Sequence, residues 1–166
     1  MMQQPAFPTV LSRALAVSGM KPYRLALNSR VSASTICKIF HYEKYKRRAT
    51  EAQVLRMFVG LVRDERRRWG ILDLVEATDE VFFKKLDELL EPEKMTCTQL
   101  ALLANVGEER LEECRSGRRP LPEALKLRLL IESRCTPDEI DIANVLLQAA
   151  GFYIMRGGAE RGRRVA

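Results

Sequence analysis

Apolar residues recur three and four apart along nearly the whole chain, and alternating β-branched runs are almost absent, so the pattern predicts an all-α fold. The spacing places helices near 9–18, 22–29, 33–41, 51–68, 71–77, 79–91, 97–104, 108–115, 121–133 and 137–150. Thr50 with Gln53, Thr96 with Gln99 and Thr136 with Glu139 each set a hydroxyl N-cap before a polar side chain that can reach back to the cap amide. Pro137 adds a preset first helical residue to the last of these. Gly19 and Gly151 fall where helices should stop, because a left-handed closing residue is least strained without a Cβ.

The pattern also repeats. A shift of 75 residues lays Met20, Leu25, Ala26, Leu27 and Val31 over Met95, Leu100, Ala101, Leu102 and Val106, all identical. The same shift sets Ile36 over Leu111 and Ile39 over Cys114, after which a slip of four residues brings Arg47 and Arg48 onto Arg118 and Arg119. This predicts a first unit over 1–77, a connector helix over 78–95, a second unit over 96–155 and a glycine-rich basic tail over 156–166.

Each unit contains two short helices around a tight turn. In the first, Ala26 is small where the helices would cross, Ser32 caps the second helix, and Ile36 and Ile39 face inward. On these residues the chain resembles the lambda-repressor and Cro-like (XRE) family of helix-turn-helix regulators over 9–64 and, more weakly, over 95–134. The resemblance implies a five-helix N-terminal domain that binds operator DNA, followed here by a second, divergent copy. Two positions depart from the family pattern. Its turn glycine is Arg30 in the first copy and Asn105 in the second, and Arg is disfavoured at positive φ. Its phosphate-gripping Gln is Pro22 or Cys97, so a phosphate contact would pass to Tyr23 or Arg24.

A recognition helix presents its first-turn side chains to base edges in the major groove. The exposed face here is expected to carry Ala33, Ser34, Thr35 and Lys38 after the capping Ser32, and these five are the candidate base readers: hydroxyls pair with several base edges, Ala33 suits a thymine methyl, and Lys38 reaches guanine acceptors or phosphate. The segment that follows holds His41, Tyr42, Lys44, Tyr45, Lys46, Arg47 and Arg48, an aromatic and basic loop placed to run along a phosphate strand.

Charge sharpens the contrast between the units. Residues 1–75 carry a net +9, residues 76–155 a net −6 and residues 156–166 a net +3, within an overall +6. The second candidate recognition helix holds Glu108, Glu109, Glu112 and Glu113, which repel phosphates and point instead to dimerisation or partner binding. Arg110, Arg115, Arg118 and Arg119 keep a second DNA surface in play. Arg66, Arg67 and Arg68 are expected to close the helix 51–68, either complementing its dipole or meeting phosphate. The tail, with Arg161, Arg163 and Arg164, is expected to lie in a minor groove or stay free.

Other classes lose ground on residue type. Hydrophobic residues make up 46% and charged residues 30%, enough for a core with a charged surface. One histidine, His41, and four scattered cysteines form no CxxC pair, so no metal site, disulfide or cofactor is expected and the thiols should be reduced and mostly buried. No nucleophile stands beside a general base, so no enzyme is expected. Trp69, Phe82 and Phe83 are expected to anchor helix packing. No apolar run approaches the roughly 18 residues of a membrane span and the first residues lack a signal-peptide pattern, so a cytoplasmic location is expected.

The sequence thus leads to a double-stranded-DNA-binding transcriptional regulator, of repressor and phage or mobile-element type, dimeric through its second unit. Two alternatives stand beside it: an antitoxin-like interaction module whose acidic second unit binds a partner, and a monomer with two DNA readers on an asymmetric site.

Overall fold

The computed structural model describes residues 6–156, and among them every regular element is a helix. In chain order these are α1 (Phe7–Ser18), α2 (Pro22–Ser29), α3 (Ala33–Phe40), α4 (Tyr42–Tyr45), α5 (Glu51–Leu61), α6 (Glu65–Glu76), α7 (Asp79–Leu90), α8 (Cys97–Leu103), α9 (Glu108–Arg115), α10 (Glu123–Arg134) and α11 (Pro137–Ala149). The all-α expectation is therefore met. Capping boxes form at Thr50 with Gln53, Thr96 with Gln99 and Thr136 with Glu139, and Gly19 and Gly151 close their helices with φ of 64° and 85°.

Two helix assignments are corrected. The single helix expected over 51–68 is broken: α5 ends at Leu61, Val62 is extended, and Asp64 caps α6 by accepting from the Arg67 amide at 3.1 Å. The helix expected at 71–77 is the second half of α6, which passes through Gly70 without interruption. Arg66, Arg67 and Arg68 therefore lie in the first turns of α6 and close no helix. Their cost at a positive dipole end is offset by Asp64, Glu65 and pairing elsewhere. Arg67 grips Glu139 with both terminal nitrogens, at 2.6 and 2.7 Å, and buried Arg68 donates to the Val62 carbonyl at 2.8 Å. A further short helix, α4, occupies part of the segment expected to be loop.

At the centre α5 packs against α10. Buried positions run around α5, from Val54 to Gly60, because α2, α6, α10 and α11 each take a side of it. In α10 every residue from Leu125 to Glu132 is buried. Three of those are charged, so each requires a partner. Lys126 meets Asp79 at 2.9 Å and the Ala77 carbonyl at 3.0 Å, and Arg128 binds Glu51 at 2.5 Å together with the carbonyls of Ala104 and Tyr153. Arg56 of α5 pairs with Glu123 of α10.

Around this pair the buried apolar residues form one cluster that runs from Phe7 to Met155. The segment expected to connect the two units supplies α7, whose Phe82, Phe83, Leu86 and Leu90 enter that cluster with the two phenyl rings edge to face. After α11 the chain runs back over the second unit: Asn144 exchanges two hydrogen bonds with Met155, and the Arg156 amide donates to Leu103.

Cys114 and Cys135 are buried, Cys97 is half-buried and Cys37 is exposed, all as free thiols. Burial pushes the Cys135 thiol up to about 12, which keeps it protonated and inert. Among the described residues no group of side chains is arranged to hold a metal ion, and no helix is long and apolar enough to cross a membrane.

Two outcomes test this packing. A Cβ on Gly60 would stand 3.0 Å from both Leu25 Cδ1 and Ser29 Cβ and 3.1 Å from the Ser29 amide, so α2 would have to move. The helix-propensity gain of Gly60→Ala, about 1 kcal/mol, is outweighed by an overpacking cost of about 1–3 kcal/mol, and chemical denaturation should show net destabilisation. Glu139 is also informative. Burial raises its pKa, but the Thr136 amide and the Arg67 guanidinium outweigh this and hold it below the usual carboxylate value. Its stabilisation is therefore complete above the unfolded carboxylate pKa and drains away as pH falls through the lower folded one. Glu139→Gln, which keeps the cap, should cost about 1–3 kcal/mol at neutral pH and flatten the acid limb of a stability–pH curve.

Candidate nucleic-acid interface

Two hydrogen bonds and a glycine fix α2. Buried Asn28 donates to the Gly60 carbonyl at 3.3 Å, and Ser29 donates back to the Leu25 carbonyl at 2.6 Å, letting α2 lie close on α5. The chain then turns at Arg30, which adopts φ 54° and ψ 35°. The disfavoured left-handed geometry is met here by an arginine held on three sides. Asp73 accepts from it at 2.8 Å, Glu76 at 2.9 Å, and the guanidinium lies 5.1 Å from the Trp69 ring. A carboxylate pair one turn apart on α6 therefore anchors the turn that aims α3.

Val31 in the turn and Ile36 and Ile39 of α3 are buried, and the opposite side of the helix is open. Ser32, Ala33, Ser34 and Lys38 are exposed and Thr35 is half-buried; Ser32 to Thr35 stand at the start of the helix and Lys38 in its last turn. The hydroxyls are not equivalent. Ser32 Oγ accepts from the Thr35 amide at 3.1 Å and donates to Thr35 Oγ1 at 2.8 Å, so its work is structural, whereas the Thr35 hydroxyl keeps its own proton for an outside acceptor.

The basic segment follows directly. Lys44 stacks over Tyr45 at 5.1 Å, and Lys46 and Arg48 flank the Tyr42 ring at 5.4 and 5.7 Å. His41, Lys44, Tyr45, Lys46, Arg47 and Arg48 are exposed, and Tyr42 is half-buried beneath its cations. Ala49, buried, ties the end of this segment to the core before Thr50 starts α5. Tyr23 and Arg24 are exposed on the first turn of α2, after Pro22 at its first position. Among the described residues, Lys46 with Glu43 at 3.5 Å is the ion pair this basic segment makes.

Residues 75 apart occupy matching sites in the second unit. Leu25 and Leu100 are fully buried, Val31 and Val106 are equally buried, and Ile36 and Leu111 both face the core. Asn105 takes φ 57°, as Arg30 does, but its amide is pinned by the Ile154 carbonyl at 3.1 Å. The outward face differs. Gly107 caps α9 without a side-chain bond, and Glu108, Glu109, Arg110 and Glu112 are exposed. Arg115 is held by Asp87 at 2.5 Å over the Phe83 ring, and Arg119 by Glu113 at 3.0 Å, while Arg118 is exposed. Of the tail 156–166, expected to lie in a minor groove or stay free, Arg156 is exposed and 157–166 lie outside the described residues.

Sequence reasoning missed the Asp73–Glu76–Trp69 clamp, α4, and the segment 152–156 that covers the second turn. A signal for the first was present, since Asp73 and Glu76 are three apart on one helix face. Comparison of the chain with protein-family models, curated proteins and solved structures gave no match.

Since the Ser32 hydroxyl caps α3, Ser32→Ala should destabilise the free protein by about 1 kcal/mol, measured by urea denaturation. An unchanged midpoint would remove the cap from the account of how α3 is held.

Proposed function

We propose that the chain is a sequence-specific double-stranded-DNA-binding regulator that reads bases with α3 and grips phosphates with the segment after it. The observation that carries this reading is the contrast between the two helix pairs. In the first, Lys38, Lys44, Arg47 and Arg48 stand exposed beside a helix that presents small and hydroxylic side chains. In the second, Arg115 and Arg119 are neutralised by Asp87 and Glu113. Unpaired cations release counterions when they meet phosphates, whereas paired ones must first break their own bridges. The stacked tyrosines hold Lys44, Lys46 and Arg48 in place before binding, which lowers the ordering cost.

On this reading Thr35 and Lys38 carry base readout, with Ala33 and Ser34 close to the base edges. Tyr23, Arg24, His41, Tyr42, Lys44, Tyr45, Lys46, Arg47 and Arg48 position the helix on the backbone. Repression of phage or mobile-element genes is the regulatory role we assign to it, by resemblance. The exposed Glu108, Glu109 and Glu112 favour a second role for α9, as a surface for a basic protein partner, over a second DNA reader.

The test uses the full chain and genomic fragments. Affinity should fall by orders of magnitude between about 50 and about 200 mM salt if roughly six or more phosphates are contacted. Lys38→Ala should cost about 1–3 kcal/mol on the preferred site and relax its specificity. Arg47→Ala should weaken all DNA alike and reduce the salt slope by about 1, and Arg115→Ala should change neither. Absence of DNA affinity at about 50 mM salt would overturn the reading.

A further inference from the structure

An apolar groove of about 760 Å³ lies on another part of the molecule, between α1 and α11 with the end of α5 as its floor. Val10, Ala14 and Val17 form its α1 wall and Ile142, Val145 and Ala149 its α11 wall, each set at helical spacing. These are surface positions: Val17 is 84% exposed, Val145 55% and Ile142 49%. An apolar stripe repeated on two neighbouring helices marks an interaction face.

We propose that this groove is the contact between two copies of the chain, related by a two-fold axis. Charge favours that occupant. The exposed Arg13 lies on α1, which has no acidic residue, and Arg63 lies at the end of the floor; α11 carries the exposed Asp138 and Asp141 and no basic residue, its Glu139 being held by Arg67. A two-fold contact sets each basic α1 against the partner's acidic α11, and does so twice. Ala14 and Ala149 leave room for close approach of the helices. A small ligand fits less well, because sites for such ligands enclose most of the ligand, and one seated here would leave Val17 on the rim in water. The apolar face is confined to one groove between two helices, so the dimer is of the weak, concentration-dependent kind. None of this depends on whether the chain binds DNA.

Sedimentation velocity of the full chain from about 1 to about 200 µM is the test, a range chosen for micromolar association. The wild type should shift from monomer to dimer. Val17→Asp and Val145→Asp should stay monomeric throughout, with unchanged helicity and thermal midpoint, and the milder Val17→Ser should weaken association without abolishing it. A wild type that stays monomeric overturns the proposal, and so does one that dimerises equally well in both Asp variants. A monomeric wild type that binds a lipophilic dye, lost in Val17→Asp, assigns the groove to a small apolar ligand instead.

Discussion

The contact between α5 and α10 constrains everything else. Each is the first long helix after one copy of the repeated helix pair, and each is packed on several sides by other helices. Lys126 and Arg128 of α10 are therefore cut off from water, and their partners are supplied by other segments. Arg128 alone joins the start of α5, the end of α8 and the C-terminal segment at Tyr153. Such a residue adds little net stability compared with an apolar one, but once buried it fixes where those three segments must lie.

That arrangement leaves the two helix pairs with the same skeleton and different surfaces. The positions that face inward match across the repeat, from Leu25 with Leu100 to Ile36 with Leu111. The turn residues keep the same backbone geometry while being secured by unrelated partners, carboxylates of α6 for Arg30 and a main-chain carbonyl for Asn105. Divergence is concentrated on the outer face. There one copy offers small hydroxylic side chains beside a largely basic segment, and the other offers carboxylates, with Arg115 and Arg119 engaged in ion pairs and Arg110 and Arg118 exposed.

Local physics was legible in the sequence where one residue decides the outcome. The three capping boxes, the glycine stops and the inward positions of α3 follow from side chains within a turn or two of where they act. The helix break at Val62 was hidden because Leu61 and Val62 continue the apolar period; only Asp64 with Glu65 hinted at a new start. The arginine triplet was misplaced for the same reason. Arg30 illustrates a deeper limit: its positive φ is unfavourable locally, and what holds it lies 43 and 46 residues away. The exposed positions of α3 and its basic segment were likewise readable from spacing, but the pairing of Arg115 with Asp87 and the covering of Asn105 by Ile154 depend on tertiary packing.

The bridges between α5 or α6 and the last two helices have a consequence in time. Arg56 with Glu123, Arg67 with Glu139 and Arg128 with Glu51 join residues 67, 72 and 77 apart. Helical proteins usually fold fast because their contacts are local, but here the central pair cannot close until the chain has looped back over nearly half its length. A nascent chain that has made only the first unit still exposes the side of α5 meant for α10. Emergence of the second unit from the ribosome, rather than helix formation, would then time the appearance of the finished core.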